Sequence, residues 1–230
     1  MGVSGGIDSA VTSTLSAMTG IRTIVVNMPI HQDEGQYDLS NLHIEWLVSK
    51  WGNVERSKID LSNTYDELCS DLDSQKVTEL SLANSRARLR MTALFAVAGS
   101  NNGIVVGTGN KVEDFGIGFY TKYGDGGVDI SPIADLYKSD VYAMGEELGV
   151  IREVLEAAPT DGLWNDGRTD EDQIGATYEE IEWAMKEAAS PKRADLSERE
   201  RKVLDIYQRL NKSNSHKMDP IPVFKLYPDE

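Results

Sequence analysis

Cysteine is nearly missing from this chain. Cys69 stands alone among 230 residues, so no internal disulfide can form and a reducing compartment is expected. Histidine is almost as scarce: His31, His43 and His216 lie far apart with no second soft ligand nearby, which argues against a structural zinc site. No apolar run approaches the ~20 residues of a membrane-spanning helix, and no charged-then-apolar leader opens the chain. Position 6 is glycine and not Ser or Thr, so Gly2 carries no myristoylation signal. Positive charge is short as well: 23 Lys and Arg face 38 Asp and Glu, a formal net charge of −15. A nucleic-acid binder needs a basic face to neutralise phosphates, so that partner class is disfavoured. Any phosphate must instead be met locally, by backbone N–H groups, a few basic side chains or a bound metal. These absences together lead to the expectation of a cytoplasmic protein with no membrane attachment.

What is present is enough for a globular core. Hydrophobic residues make up 40% of the chain, too many for a disordered protein, and residues 1–230 read as a single domain. Ile7, Ala10, Val11, Thr14, Leu15 and Met18 recur at helical spacing, with Gly20 as a stop. The β-branched run "IRTIVVNMPI" reads as a buried strand ending at Pro29, and "LSNLHIEWLVSKWG" reads as a second helix. A short strand is expected over 54–61, a helix with an apolar stripe over 83–99, and another strand at "GIVVGTGN". Strands and helices in this rhythm predict an α/β fold, a doubly wound, mostly parallel sheet with helices on both faces. Ligands of such sheets bind beyond the carboxyl ends of the strands.

The second half changes character. Residues 109–131 hold many glycines without a period and are expected to form a long, mobile active-site loop. Helices resume at "SDVYAMGEELG", "TYEEIEWAMKEA" and "DLSERERKVLDIYQRL", the last with Ser197 and Glu200 spaced as a capping box. A tail from Ser213 to Glu230 closes the chain. Trp46, Trp51 and Trp183 lie on helices and read as core or subunit contact.

The stretch "GVSGGIDSA", residues 2–10, concentrates the chemistry. Glycines between a strand and a helix permit positive backbone dihedrals and close ligand approach, and the helix start offers free N–H donors to an anion. No lysine follows the glycines, so this is not the P-loop with GK[ST], and adjacent Gly5 and Gly6 do not fit the dinucleotide spacing G-x-G-x-x-G. Only three residues precede the loop where a full strand is expected, as though upstream residues were missing. An aspartate flanked by serines inside such a turn reads better as a metal ligand than as a helix cap.

The pattern S-G-G-x-D-S at Ser4 to Ser9 resembles the pyrophosphate loop of the ATP pyrophosphatases, which split ATP between its α and β phosphates. "ANSRARLRM", "VVGTGNKVED", "TKYGDGGVDISPIADLYK", "APTDGL" and "SHK" follow in the order and approximate spacing found in NAD synthetases of the ammonia-dependent type, which amidate nicotinic acid adenine dinucleotide (deamido-NAD). The resemblance implies ATP contacts at Ser4, Gly5, Gly6, Ile7, Asp8, Ser9, Thr108, Lys138 and Thr160, and Mg²⁺ ligation by Asp8 and Glu113. It places deamido-NAD at Arg88, Lys122, Asp129, His216 and Lys217, and implies a homodimer. Two departures stand out. Several bacterial members carry arginine before the strand-ending proline dipeptide, where this chain has Asn27-Met28-Pro29, with Gln32 as a candidate for the adenine contact. Glu113 and Lys122 are also one residue further apart than in some relatives.

The implied reaction transfers AMP to the nicotinate carboxylate, releases pyrophosphate, and lets ammonia displace AMP. Charge neutralisation is its main task, which suits the catalytic set Asp8, Lys138 and Asp129, the last expected to orient ammonium and take its proton. Cys69 in "DELCSD" lacks the surroundings of an amidotransferase nucleophile, so ammonia is expected free or from a separate glutaminase chain. The rival readings are a GMP synthetase-like or tRNA-modifying member of the same superfamily, both disfavoured by "TKYGDGGVD", and a non-catalytic nucleotide-sensing module.

Overall fold

A computed structural model of the chain describes residues 1–32, 34–159, 169–190 and 195–226. Its centre is a parallel pair, β1 (Thr23–Asn27) and β2 (Val54–Lys58), in register from Thr23 opposite Val54 to Asn27 opposite Lys58. The first three residues extend this sheet on the other side of β1. Gly2 bridges Val26 in parallel, with Val3 N–H donating to Val26 O at 3.1 Å and Val26 N–H to Met1 O at 2.9 Å. Residues 1–3 thus do the work of the strand that feeds the glycine turn.

Successive residues of β1 face opposite sides, and each side meets a helix. Val25 packs with Ala17 of α1 (Ile7–Met18) and with Ile44 and Leu47 of α2 (Glu34–Lys50). Val26 packs with Met91 and Leu94 of α4 (Glu79–Ser100), the helix that follows α3 (Ser62–Leu72). Helices therefore cover both faces, as the alternating pattern predicts. Trp46 and Trp51 pack on the α2 side of this core.

The expected strand at 103–110 is reduced to one bridge, Val106 to Ile130. The stretch 109–131 is also not irregular throughout: Lys111–Ile117 forms a π-helix, capped by the side chain of Asn110. After it come α5 (Lys138–Glu147), α6 (Arg152–Leu155), α7 (Asp170–Ile174), α8 (Tyr178–Ala189) and α9 (Glu198–Met218). α9 absorbs the start of the expected tail, and its Ser197–Glu200 capping box forms, with Glu200 N–H reaching Ser197 Oγ at 3.2 Å. Trp183 packs into the core between α8 and α9. No helix among the described residues is long and apolar enough to cross a membrane.

Candidate active site

Helix beginnings converge on one place. Asp8 is the second residue of α1, Glu113 the third of the π-helix, and Lys138, Asp170 and Tyr178 are the first residues of α5, α7 and α8. Side chains take N–H groups at four of these starts, Asn110 at the π-helix, Glu182 at α5, Thr169 at α7 and Thr177 at α8, whereas the start of α1 has no side-chain cap; that end, with its positive dipole pole, favours an anion. The approach of α1 to α5 depends on Gly145: a Cβ there would stand 2.8 Å from Ile7 Cδ1 and 3.1 Å from Leu155 Cδ2. This close packing lets a lysine on one helix reach an aspartate on the other.

Lys138 Nζ lies 2.5 Å from Asp8 Oδ2 and 2.8 Å from Glu113 Oε1, and the lysine side chain is only 4% exposed. Tyr178 donates its hydroxyl to Glu113 Oε1 at 2.5 Å and lies 3.3 Å from Asp170 Oδ2. Asn110 ties the centre together: its amide donates to Asp8 Oδ1 at 2.9 Å while its Oδ1 accepts the N–H groups of Val112 and Glu113, both at 3.0 Å. Burial by itself would push every carboxylate here up. For Glu113, Lys138 together with hydrogen bonds from Lys138, Tyr178 and Asn110 outweighs burial and holds it below the usual range. For Asp8, burial wins over Lys138 and the carboxyl is raised. Burial disfavours the Lys138 charge, but Asp8 and Glu113 more than offset it and keep the ammonium protonated.

The glycine turn sits at the start of α1. Gly6 is the N-cap and makes no side-chain cap, so Asp8 is not spent on capping. Gly5 has φ +92°, and a Cβ on it would lie 3.0 Å from Ser40 N and 3.1 Å from Gln36 O, so only glycine fits between turn and α2. The Ser9 hydroxyl donates to Gly6 O at 2.9 Å and accepts from Ser4 N–H at 3.2 Å, while Ser4 Oγ accepts from Gly6 N–H at 3.2 Å. The N–H groups of Ile7, Asp8 and Ser9 precede the first bond of the helix, from Ala10 N–H to Gly6 O at 3.1 Å. Ile7 can contribute to a ligand only through its backbone, because its side chain is buried with Val11, Ile133 and Val141.

The other expected residues divide. Thr108 lies two residues before Asn110, between Gly107 and Gly109, and so on the approach to the centre. Arg88, Lys122, His216 and Lys217 are brought together. Arg88 Nε donates to Lys122 O at 3.2 Å, the Lys122 ammonium donates to His216 O, and Lys217 Nζ donates to Gly118 O at 2.8 Å and Tyr120 O at 2.9 Å. Lys217 is thereby engaged in clasping the end of α9 to the 118–120 turn. Asp129 stands apart from the expected catalytic set. Its Oδ2 accepts Val105 N–H at 2.7 Å, because the Val106–Ile130 bridge sets residue 129 beside residue 105, and no hydrogen bond or ion pair among the described residues links it to Asp8, Glu113 or Lys138. Thr160 and most of "APTDGL" lie outside the described residues.

Three participants gave no sequence signal as site residues: Asn110, Asp170 and Tyr178. Arg90 on α4 adds a further contact. It is half-buried, donates from Nε to Met28 O and from Nη2 to Gln32 Oε1, both at 2.9 Å, and desolvation, with Arg86 nearby, pushes its guanidinium down to about 10. It thus braces the loop after β1 that carries Gln32.

A family model described as NAD synthase matches residues 1–220 of the chain. The chain belongs to the NAD synthase family. It is 37% identical over 236 residues to the NH(3)-dependent NAD(+) synthetase of Alkaliphilus metalliredigens, covering 96% of this chain and 88% of that one. The enzyme of the same name from Methanosarcina acetivorans is 34% identical, with 99% and 90% covered. Among solved structures, NMN synthetase from Francisella tularensis superposes with a TM-score of 0.85 at 34% identity, covering 98% of this chain and 88% of that one. The NH3-dependent NAD synthetase of Campylobacter jejuni, at 24% identity and a TM-score of 0.77, shares the fold. Family membership accounts for the architecture as well: an α/β fold built on a parallel sheet.

Proposed function

We propose that the chain catalyses the ATP-dependent amidation of deamido-NAD to NAD with ammonia as nitrogen donor, releasing AMP and pyrophosphate. One observation carries this reading: Asp8, Glu113 and Lys138, drawn from three helix beginnings, meet beside a glycine turn in a chain of the NAD synthase family. The donor set fits magnesium. Asp8 and Glu113 would hold the ion through hard oxygen atoms, and no cluster of three or more acidic, His or Cys ligands occurs among the described residues. Bound there, Mg²⁺ would supply neutralisation of phosphate charge.

The N–H groups of Ile7, Asp8 and Ser9 hold the β and γ phosphates that become pyrophosphate. Lys138 supplies a fixed positive charge to the same oxygens when ATP is in place. The nicotinate carboxylate attacks the α phosphorus, the bond to the bridging oxygen breaks, and pyrophosphate leaves. Ammonia then attacks the acyl carbon, the bond from that carbon to the AMP oxygen breaks, AMP departs with the electron pair, and the nitrogen gives its proton to solvent water. Arg88 and Lys122, set by the 118–127 turn, serve the anionic dinucleotide. Exposed Leu80 and Phe95, 57% and 43% accessible on α4, give a second copy an apolar face to cover, consistent with a homodimer. ATP consumption fits a cytoplasmic enzyme, with ammonia from the free pool or a separate glutaminase.

The similarity to NMN synthetase supports a second reading, in which the mononucleotide of nicotinic acid is the carboxylate substrate. The two are separated by supplying ATP, Mg²⁺ and ammonium with either deamido-NAD or the mononucleotide and following AMP, pyrophosphate and the amide product. Formation of AMP and pyrophosphate only with deamido-NAD supports the first reading. Turnover of the mononucleotide alone replaces it with the second, and ADP as product removes both.

A further inference from the structure

Glu113 is held by more than its neighbours on the π-helix. Tyr178 arrives from α8, 65 residues further along the chain, and donates to Glu113 Oε1 at 2.5 Å. Lys138 donates to the same oxygen at 2.8 Å. The phenol is 6% exposed and belongs to the core cluster of Ile174, Ile181 and Ile206, so its ring is fixed by packing. Lys138 Nζ also stands 4.8 Å from the centre of that ring. A single phenolic proton cannot serve two carboxylates fully, and the 2.5 Å contact with Glu113 takes it in preference to the 3.3 Å contact with Asp170.

Resting on the reading that Glu113 is a metal ligand, we propose that Tyr178 is the positioning residue for that carboxylate: its hydroxyl pins Oε1 and so leaves Oε2 as the oxygen offered to a divalent cation. Lys138 by itself would position Glu113 poorly. Its ammonium is shared between Asp8 and Glu113 and, on the reading above, also serves phosphate. Tyr178 gives its one proton to Glu113, the contact with Asp170 being the longer. Partners that orient a metal ligand in this way typically contribute 10–100-fold to metal affinity.

The test uses the full chain and Mn²⁺ as the probe, with binding followed by electron paramagnetic resonance in the absence of nucleotide. Tyr178→Phe keeps the buried ring and its contact with Lys138, and its fold is checked by circular dichroism. It should bind Mn²⁺ roughly 10–100-fold more weakly than the natural chain, and excess Mg²⁺ should restore much of its kcat. Glu113→Gln serves as the reference and should lose Mn²⁺ binding without rescue. If Tyr178→Phe binds Mn²⁺ within twofold of the natural chain while Glu113→Gln does not bind, the positioning role is refuted and the metal reading stands. The positioning role falls equally if the phenylalanine variant loses only thermal stability. Undiminished Mn²⁺ binding by Glu113→Gln overturns both.

Discussion

The Asp114 carboxylate fills the space that a side chain at Gly109 would need, and this makes a sharp test of how the centre is built. A Cβ added at Gly109 would lie 1.9 Å from Asp114 Oδ2, 2.3 Å from its Cγ and 2.7 Å from Oδ1. The backbone at 109 is not in the left-handed region, so alanine is unfavourable there only because of that carboxylate. Forcing a methyl group into a filled site costs about 1–3 kcal/mol. Once the obstacle is gone, Gly→Ala should be neutral or stabilising by about 0.4–1 kcal/mol, because it reduces the freedom of the unfolded chain. Gly109→Ala should therefore destabilise the natural chain by about 1–3 kcal/mol yet leave Asp114→Ala unchanged or slightly more stable, a coupling within the range seen for touching residues. Four proteins, the natural chain, both single variants and the double, would be unfolded in urea and followed by circular dichroism. Activity should report the same coupling, since Gly109 precedes Asn110, which positions both Asp8 and Glu113. An equal cost of Gly109→Ala in both backgrounds would show that the carboxylate does not fill the site.

Two further outcomes follow from buried charges. His43 is fully buried, with its Nε2 3.0 Å from Ser13 Oγ, and burial pushes the imidazole down to about 4. Its folded value lies below the unfolded one, so its stabilising contribution is complete above about pH 6.5 and is lost as pH falls to about 4, a change of up to about 3 kcal/mol. Replacing His43 with Gln should remove that part of the slope in urea titrations across this range, and an unaltered slope would count against it. Lys138→Met leaves Asp8 and Glu113 without their shared cation and should lower the melting temperature in metal-free buffer, with Mg²⁺ raising it by more than in the natural chain. An equal Mg²⁺ response would show that the lysine does not offset these two carboxylates.

Periodicity and glycine placement announced the α/β architecture, the glycine turn and most helices, because each is a local property: an apolar stripe, a β-branched run, a capping box at Ser197. The family motifs likewise drew attention to Asp8, Glu113 and Lys138 one segment at a time. What depends on a bridge between distant segments was not legible. The resemblance drew attention to Asp129 as well, but that its carboxylate accepts the N–H of Val105 is set by the pairing of Val106 with Ile130, which no local pattern shows. The role of Arg90 was not legible, because helical spacing cannot tell which edge of α4 meets the loop at Met28 and Gln32. The sequence by itself determined which segments form helices and that an anion cradle opens the chain. Only the tertiary structure decided that five helix beginnings point at one another, because the distance between Asp8 and Tyr178 is set by side-chain packing across the core, a long-range property that no local pattern encodes.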